Sequence, residues 1–186
     1  MEKAGGGNIQ KRTYSDGNST INANTSKGGT ANVTQYSSGD SNFHLKGSQG
    51  RSISGVKYAS GSSDITVSGE KGKIKKEQYS NGSANVNVTT SKGGTATKKE
   101  NADGSSSTSA TSAEGAVIKS SEDAAGVSTG TITTTDGETK TFTKTQNEDG
   151  SVTFTSDGVS KTYTKPTDNI KGKNANINQS GNARKK

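Results

Sequence analysis

Glycines recur along this chain in two interleaved registers. One set is Gly17, Gly39, Gly61, Gly82, Gly104, Gly126 and Gly150; the other is Gly28, Gly50, Gly72, Gly93, Gly115, Gly137 and Gly158. The spacing within each set is 22 residues, with departures to 21 and, once, to 24. A register held over so much of a chain is the mark of a repeat architecture, because low-complexity scatter loses phase within a few units. The residues before the glycines are turn formers: "SDG", "SKG", "SSG", "SQG", "SNG", "ADG", "TDG" and "EDG". Asp, Asn and Ser bond back to their own backbone, and Gly accepts positive φ. Each glycine therefore marks a turn. About eight residues separate consecutive turns, which suits a strand and is short for a helix.

The side-chain pattern agrees. Apolar residues follow the first-set glycines at alternate positions: Ile21 and Ala23, Phe43 and Leu45, Ile65 and Val67, Val86 and Val88, then Thr108 and Ala110. After the second set come Ala31 and Val33, Ile53 with Gly55, Ala96 with Lys98, and Ile118 with Ser120. A period of two means one apolar face and one wet face. Composition alone points towards disorder, since only 23% of residues are hydrophobic and Gly, Ser, Thr and Asn make up about half the chain. The sustained register and the single proline argue for an ordered β protein instead.

Two all-β architectures fit the period. In a β-solenoid each 22-residue strand–turn–strand unit is one coil, equivalent strands stack in parallel, and two apolar walls cover each other. About seven coils would make a rod ~34 Å long. In an antiparallel β-meander each turn is a three-residue hairpin loop with Gly in the left-handed position. Pairing about Ser26-Lys27-Gly28 then sets Ile21 opposite Val33, and pairing about Ser37-Ser38-Gly39 sets Val33 opposite Phe43. The solenoid is preferred because it covers its own apolar face, and the meander is the alternative. The expected organisation is a flexible N-terminal segment over 1–12, regular repeats over 13–136, irregular Thr-rich hairpins or a cap over 137–165, and a disordered basic tail over 166–186. Pro166, which cannot donate to a ladder, ends the pattern.

"QYSSGDSNFHL" and "EQYSNGSANVNV" place a Gln, a Gly turn and then alternating small and apolar residues, and "NANINQSGNA" is similar. With the 22-residue period they resemble curlin repeats, the units of bacterial curli fibres. The resemblance implies stacked units in a fibre, with Gln35 and Gln78 as core-edge glutamines that form ladders. Most other repeats lack the Gln and the Asn after the turn, and several carry Lys. The Ser, Thr, Gly and Lys bias of "TSKGGTATKKE" also resembles small barnacle cement proteins and sericin-type silk glues. Both resemblances imply self-assembling extracellular material.

Catalytic chemistry has little to work with. There is no Cys and one His, His44, which lies between Phe43 and Leu45 on the wet face, so a zinc site is not expected. Acids fall mainly in turns and lack the clustered pattern of calcium-binding nonapeptide repeats. "GGGN" and the repeated "SKGGT" open no helix that could supply a phosphate site. No enzyme activity, metal or cofactor is expected. No stretch approaches 18 apolar residues, so no membrane span is expected. "MEKAGGGNIQ" lacks an apolar signal region; the expected location is extracellular or cell-surface, with a leader not visible in this sequence.

The chain carries a net charge of +7. Lys71, Lys73, Lys75 and Lys76 form one dense basic patch, with others at Lys98 and Lys99 and at the "ARKK" end; such patches can protect strand edges or attract an anionic surface or polysaccharide. Nucleic acid is disfavoured because no aromatic platform lies among the lysines. Tyr14, Tyr36, Tyr58 and Tyr79 each stand three residues before a first-set glycine. By strand parity they face away from Ala31 and Val33. They can fix register across strands or form an adhesive column, and with the lysine patch they are the candidate residues for self-assembly or surface contact. The function expected is that of a structural protein assembling with itself into fibres or an adhesive matrix. The alternative is a surface-binding β-rod, either ice-binding or a bacterial adhesin stalk; Thr129/Thr131 and Thr153/Thr155 are the Thr-x-Thr pairs on its outward face.

Overall fold

The computed structural model describes residues 6–164. The expected basic tail over 166–186 lies outside the described residues. The described chain is all β, in one sheet of 15 strands whose spatial order is the sequence order. These are β1 (Asn8–Thr13), β2 (Ser19–Asn24), β3 (Thr30–Gln35), β4 (Ser41–Lys46), β5 (Ser52–Lys57), β6 (Ser63–Gly69), β7 (Gly72–Gln78) and β8 (Ala84–Thr90), followed by β9 (Thr95–Glu100), β10 (Ser106–Thr111), β11 (Val117–Glu122), β12 (Ser128–Thr133), β13 (Thr139–Gln146), β14 (Val152–Ser156) and β15 (Val159–Tyr163). Every neighbouring pair is antiparallel. The sheet is open, and the arrangement is meander-like.

The turns explain this arrangement. In the first, the Tyr14 N–H donates to the Asn18 carbonyl at 2.9 Å and the Gly17 N–H to the Tyr14 carbonyl at 3.1 Å. This closes a three-residue loop with Gly17 at φ 86°, and the same two bonds recur through most of the sheet. So tight a loop brings its flanking strands together in the plane of the sheet. The expected hairpin registers are present: Ile21 pairs with Val33, and Val33 with Phe43. The preferred solenoid reading would set Phe43 beside Ile21 and Ile65. In this sheet its partners are Val33 and Gly55.

Two departures from the 22-residue spacing also find their cause. β6 and β7 are joined by only Glu70 and Lys71, with Gly69 opposite Gly72, so that unit is one residue short. β14 and β15 are joined by Asp157 and Gly158, at φ 50° and 78°, the conformation of a two-residue type I′ hairpin. The Thr-rich C-terminal hairpins extend the sheet rather than leaving it, since β13 pairs with β12. At the other end the sheet starts at Asn8, inside the segment expected to be flexible; all six residues of this edge strand are exposed.

No second layer covers the sheet among the described residues. Among the described residues the one buried apolar residue is Ala84, and the buried polar ones are Ser128 and Ser151. Most apolar strand positions lie on one face, as alternation requires, and they stay half-exposed; Val56 and Val117 fall on the other face. Ile21, Leu45, Ile53, Ile65, Val67, Ile74, Ile118 and Ile132 keep between 36% and 45% of their surface.

Candidate interaction surface

Direct cross-strand partners share a face, so the pairings can be followed across the sheet as rows. One row reads Ile9, Ala23, Ala31, Leu45, Ile53, Val67, Ile74, Val88, Ala96, Ala110, Ile118, Ile132. It crosses β1 to β12 with no polar interruption. The next row on that face is mixed. It runs through Ile21, Val33, Phe43, Gly55 and Ile65, and then alternates Lys76, Val86 and Lys98. A third row is polar and lies along the loop edge that carries the first-set glycines. There Ser128 Oγ donates to Glu122 Oε2 at 2.6 Å, with Lys144 Nζ at 3.6 Å from the same oxygen. The serine bond first, and the lysine charge after it, hold the Glu122 carboxyl below its usual range.

The opposite face is polar. Its rows include Asn22, Asn32, His44, Ser54, Thr66, Lys75, Asn87 and Thr97, which places His44 on the wet face as expected. Neighbouring strands are tied by side-chain bonds such as Thr97 Oγ1 to Asn87 Oδ1 at 3.1 Å and the Thr153–Thr162 hydroxyl pair at 2.9 Å.

The four candidate tyrosines lie together along the first-set loop edge, each closing a hairpin with its backbone. Their rings are 40–47% exposed. Asn42 Nδ2 donates to the Tyr36 hydroxyl at 3.0 Å, and Asn85 Nδ2 to that of Tyr79 at 3.2 Å. Since Asn42 pairs with Thr34 and Asn85 with Glu77, both rings lean over the polar face. The candidate lysines are not one patch. Lys71 sits in the β6–β7 turn on the far loop edge. Lys73 and Lys75 are on the polar face, and Lys75 Nζ lies 2.5 Å from Glu77 Oε1. That bond holds the Lys75 ammonium above and the Glu77 carboxyl below their usual values. Lys76 stands on the apolar face between Ile65 and Val86, where it sets a charge beside the continuous apolar row.

A ladder between loops was missed from the sequence. The side chain just after the glycine of one tyrosine-edge turn accepts a backbone N–H from the next turn on that edge. Asn18 Oδ1 takes the Ser37 N–H at 2.8 Å, Asp40 Oδ1 the Ala59 N–H at 2.7 Å, and Ser62 Oγ the Ser80 N–H at 3.1 Å. The available signal was a polar residue in that position after Gly17, Gly39 and Gly61. With the Ala59 amide as the larger cause and the Ser38 hydroxyl as the second, the Asp40 carboxyl is held below its usual range.

Over the described residues these features define a class: a single-layer antiparallel β-repeat sheet that presents open surfaces. No family model matches the chain, and the search of curated proteins finds no match.

Proposed function

We propose that the chain is a non-catalytic structural protein whose folded unit is this antiparallel sheet rather than a coiled rod, and that it assembles with itself into β-rich extracellular fibres or an adhesive matrix. The observation that carries the reading is the apolar row from Ile9 to Ile132, crossing twelve strands with nothing over it among the described residues. Soluble monomers rarely expose continuous apolar patches of this extent, and those that do use them for association. Among the described residues β1 and β15 each pair on one side only, and an edge of this kind can template further strands. The extracellular setting is supported by the resemblance of the period to curlin units and of the composition to cement and silk-glue proteins. The test is to incubate the purified chain and examine it by electron microscopy and fibre diffraction. Filaments with a ~4.8 Å reflection are expected; a strictly monomeric protein at high concentration would remove the reading.

A second reading, contact with an anionic surface or polysaccharide, is favoured by the tyrosine column, whose Tyr36 and Tyr79 rings lean over the same polar face that carries Lys73 and Lys75. The two readings are compatible, since they use opposite faces.

A further inference from the structure

We propose that the apolar strip is covered by a second copy of this chain, making the unit of assembly a face-to-face pair of sheets with the tyrosine-bearing polar faces outward. The proposal rests on the self-assembly reading above and specifies its first contact.

Size supports it. Twelve strands at ~4.8 Å make the row about 53 Å long and ~7 Å wide, and the adjoining row widens it to ~14 Å over β2 to β6, through Ile21, Val33, Phe43 and Ile65. Covering this apolar area removes about 540 Å² from each copy, or roughly 1,100 Å² in total, just above the ~1,000 Å² that a specific interface must clear.

Symmetry supports it as well. Same-patch contacts between copies form about a two-fold axis. An axis parallel to the strands and lying between β6 and β7 lays the row on itself. Val67 then faces Ile74 of the second copy, Ile53 faces Val88, Leu45 faces Ala96 and Ala23 faces Ile118. The last two pairings set a large side chain against a small one. Near this axis an open recess of about 500 Å³ is lined in part by Ile53, Val67, Ile74 and Val88. The same operation stacks β5 on β8 and β4 on β9, so Lys57 comes one strand away from Glu100 of the second copy. No like charges fall directly opposite each other over β1 to β12. Lys76 and Lys98 stand in the adjoining row, where the same operation sets them against Ile65 and Phe43 of the second copy, so their long stems must carry the ammonium groups past the apolar contact to solvent.

The experiment is sedimentation equilibrium on the full chain and its variants, with far-ultraviolet circular dichroism as the check on fold. The parent chain is expected to dimerise at micromolar concentration. Val67→Lys sets an unpaired charge against Ile74 of the second copy, twice per dimer, and should weaken association about a hundredfold or more. The fold should survive, because Val67 is half-exposed in the single sheet. Thr66→Lys, next to it but on the polar face, should dimerise like the parent. Should Val67→Lys lose its β signal, the Lys57→Glu variant decides: it should weaken the dimer, and adding Glu100→Lys should restore it. A monomeric parent chain, or Val67→Lys dimerising as the parent does, overturns the proposal. So does a monomeric parent that sediments with phosphatidylcholine vesicles, which would assign the strip to lipid. Fibres from a chain that never dimerises overturn this pairing and leave the self-assembly reading standing, whereas dimers that never yield fibres do the reverse.

Discussion

The ring of Phe43 lies across Gly55, its antiparallel partner on the next strand: a Cβ built on Gly55 would sit 2.7 Å from two ring carbons. Gly130 stands in the same relation to its partner Phe142, at 2.6 Å, and Phe142 stacks on Phe154 with ring centroids 5.4 Å apart. In a sheet with no second layer, a large ring finds cover by lying over a gap in its own layer, and a glycine provides the gap.

Gly55→Val should therefore destabilise the sheet, although valine is the better strand former. The new side chain must displace the Phe43 ring and also crowds the Asp64 carbonyl, 2.6 Å from the Cβ position. The expected loss is about 1–3 kcal/mol, the usual cost of overpacking, read from the shift in a urea unfolding curve. A gain in stability would mean that the ring does not occupy the gap.

Turn glycines should differ in cost by position. Gly28 sits at φ 82° with open space around it, so alanine there pays only the left-handed strain, about 1–2 kcal/mol. Gly72 closes the two-residue β6–β7 turn at φ 137°, and a Cβ there would run into the Thr89 carbonyl. Gly72→Ala should cost distinctly more than Gly28→Ala when their unfolding midpoints are compared. Equal losses would contradict the two-residue turn.

Acid should loosen the loop ladder at Asp40. Its folded-state pKa is depressed by the Ala59 amide and then by Ser38, so its contribution is fully present above the aspartate value of the unfolded chain. It is lost as pH falls through the lower folded value. The Ala59 amide resonance, followed by NMR through acid titration, should move with a midpoint below that of an ordinary aspartate. Asp40→Asn should abolish the transition.

Replacing Tyr36, Tyr58 and Tyr79 together by Ser should leave the sheet folded, since each ring is a surface contact of roughly 0.2–1 kcal/mol. Attachment to a charged surface, or lateral association of assemblies, should fall much further, because aromatics dominate contact patches. Outright unfolding in circular dichroism would show the column to be structural.

In the assembled material, solid-state NMR should show Phe43 in contact with Val33 and Gly55. Contacts to Ile21 and Ile65 in their place would mean that equivalent strands stack one coil apart, as in a solenoid.

Much of the local structure was legible because its causes are local. Gly17 and Gly28 mark turns since few other residues accept their φ, and strict alternation puts Ile21 and Ala23 on one face and Lys75 and Lys76 on opposite faces. Lys71, Lys73, Lys75 and Lys76 are close in sequence, but that same alternation separates them. The β6–β7 turn was visible only as a unit one residue short.

Sequence by itself determined the strand length, the turn positions and which side chains share a face, because backbone sterics and a period of two act within a few residues. It could not determine which strands become neighbours, since a 22-residue period is the same whether units lie side by side or stack. That choice depends on contacts between residues far apart in the chain. Only the tertiary structure brought Asn18 to Ser37 and Asp40 to Ala59, and only there did scattered apolar pairs become one continuous, uncovered row from Ile9 to Ile132.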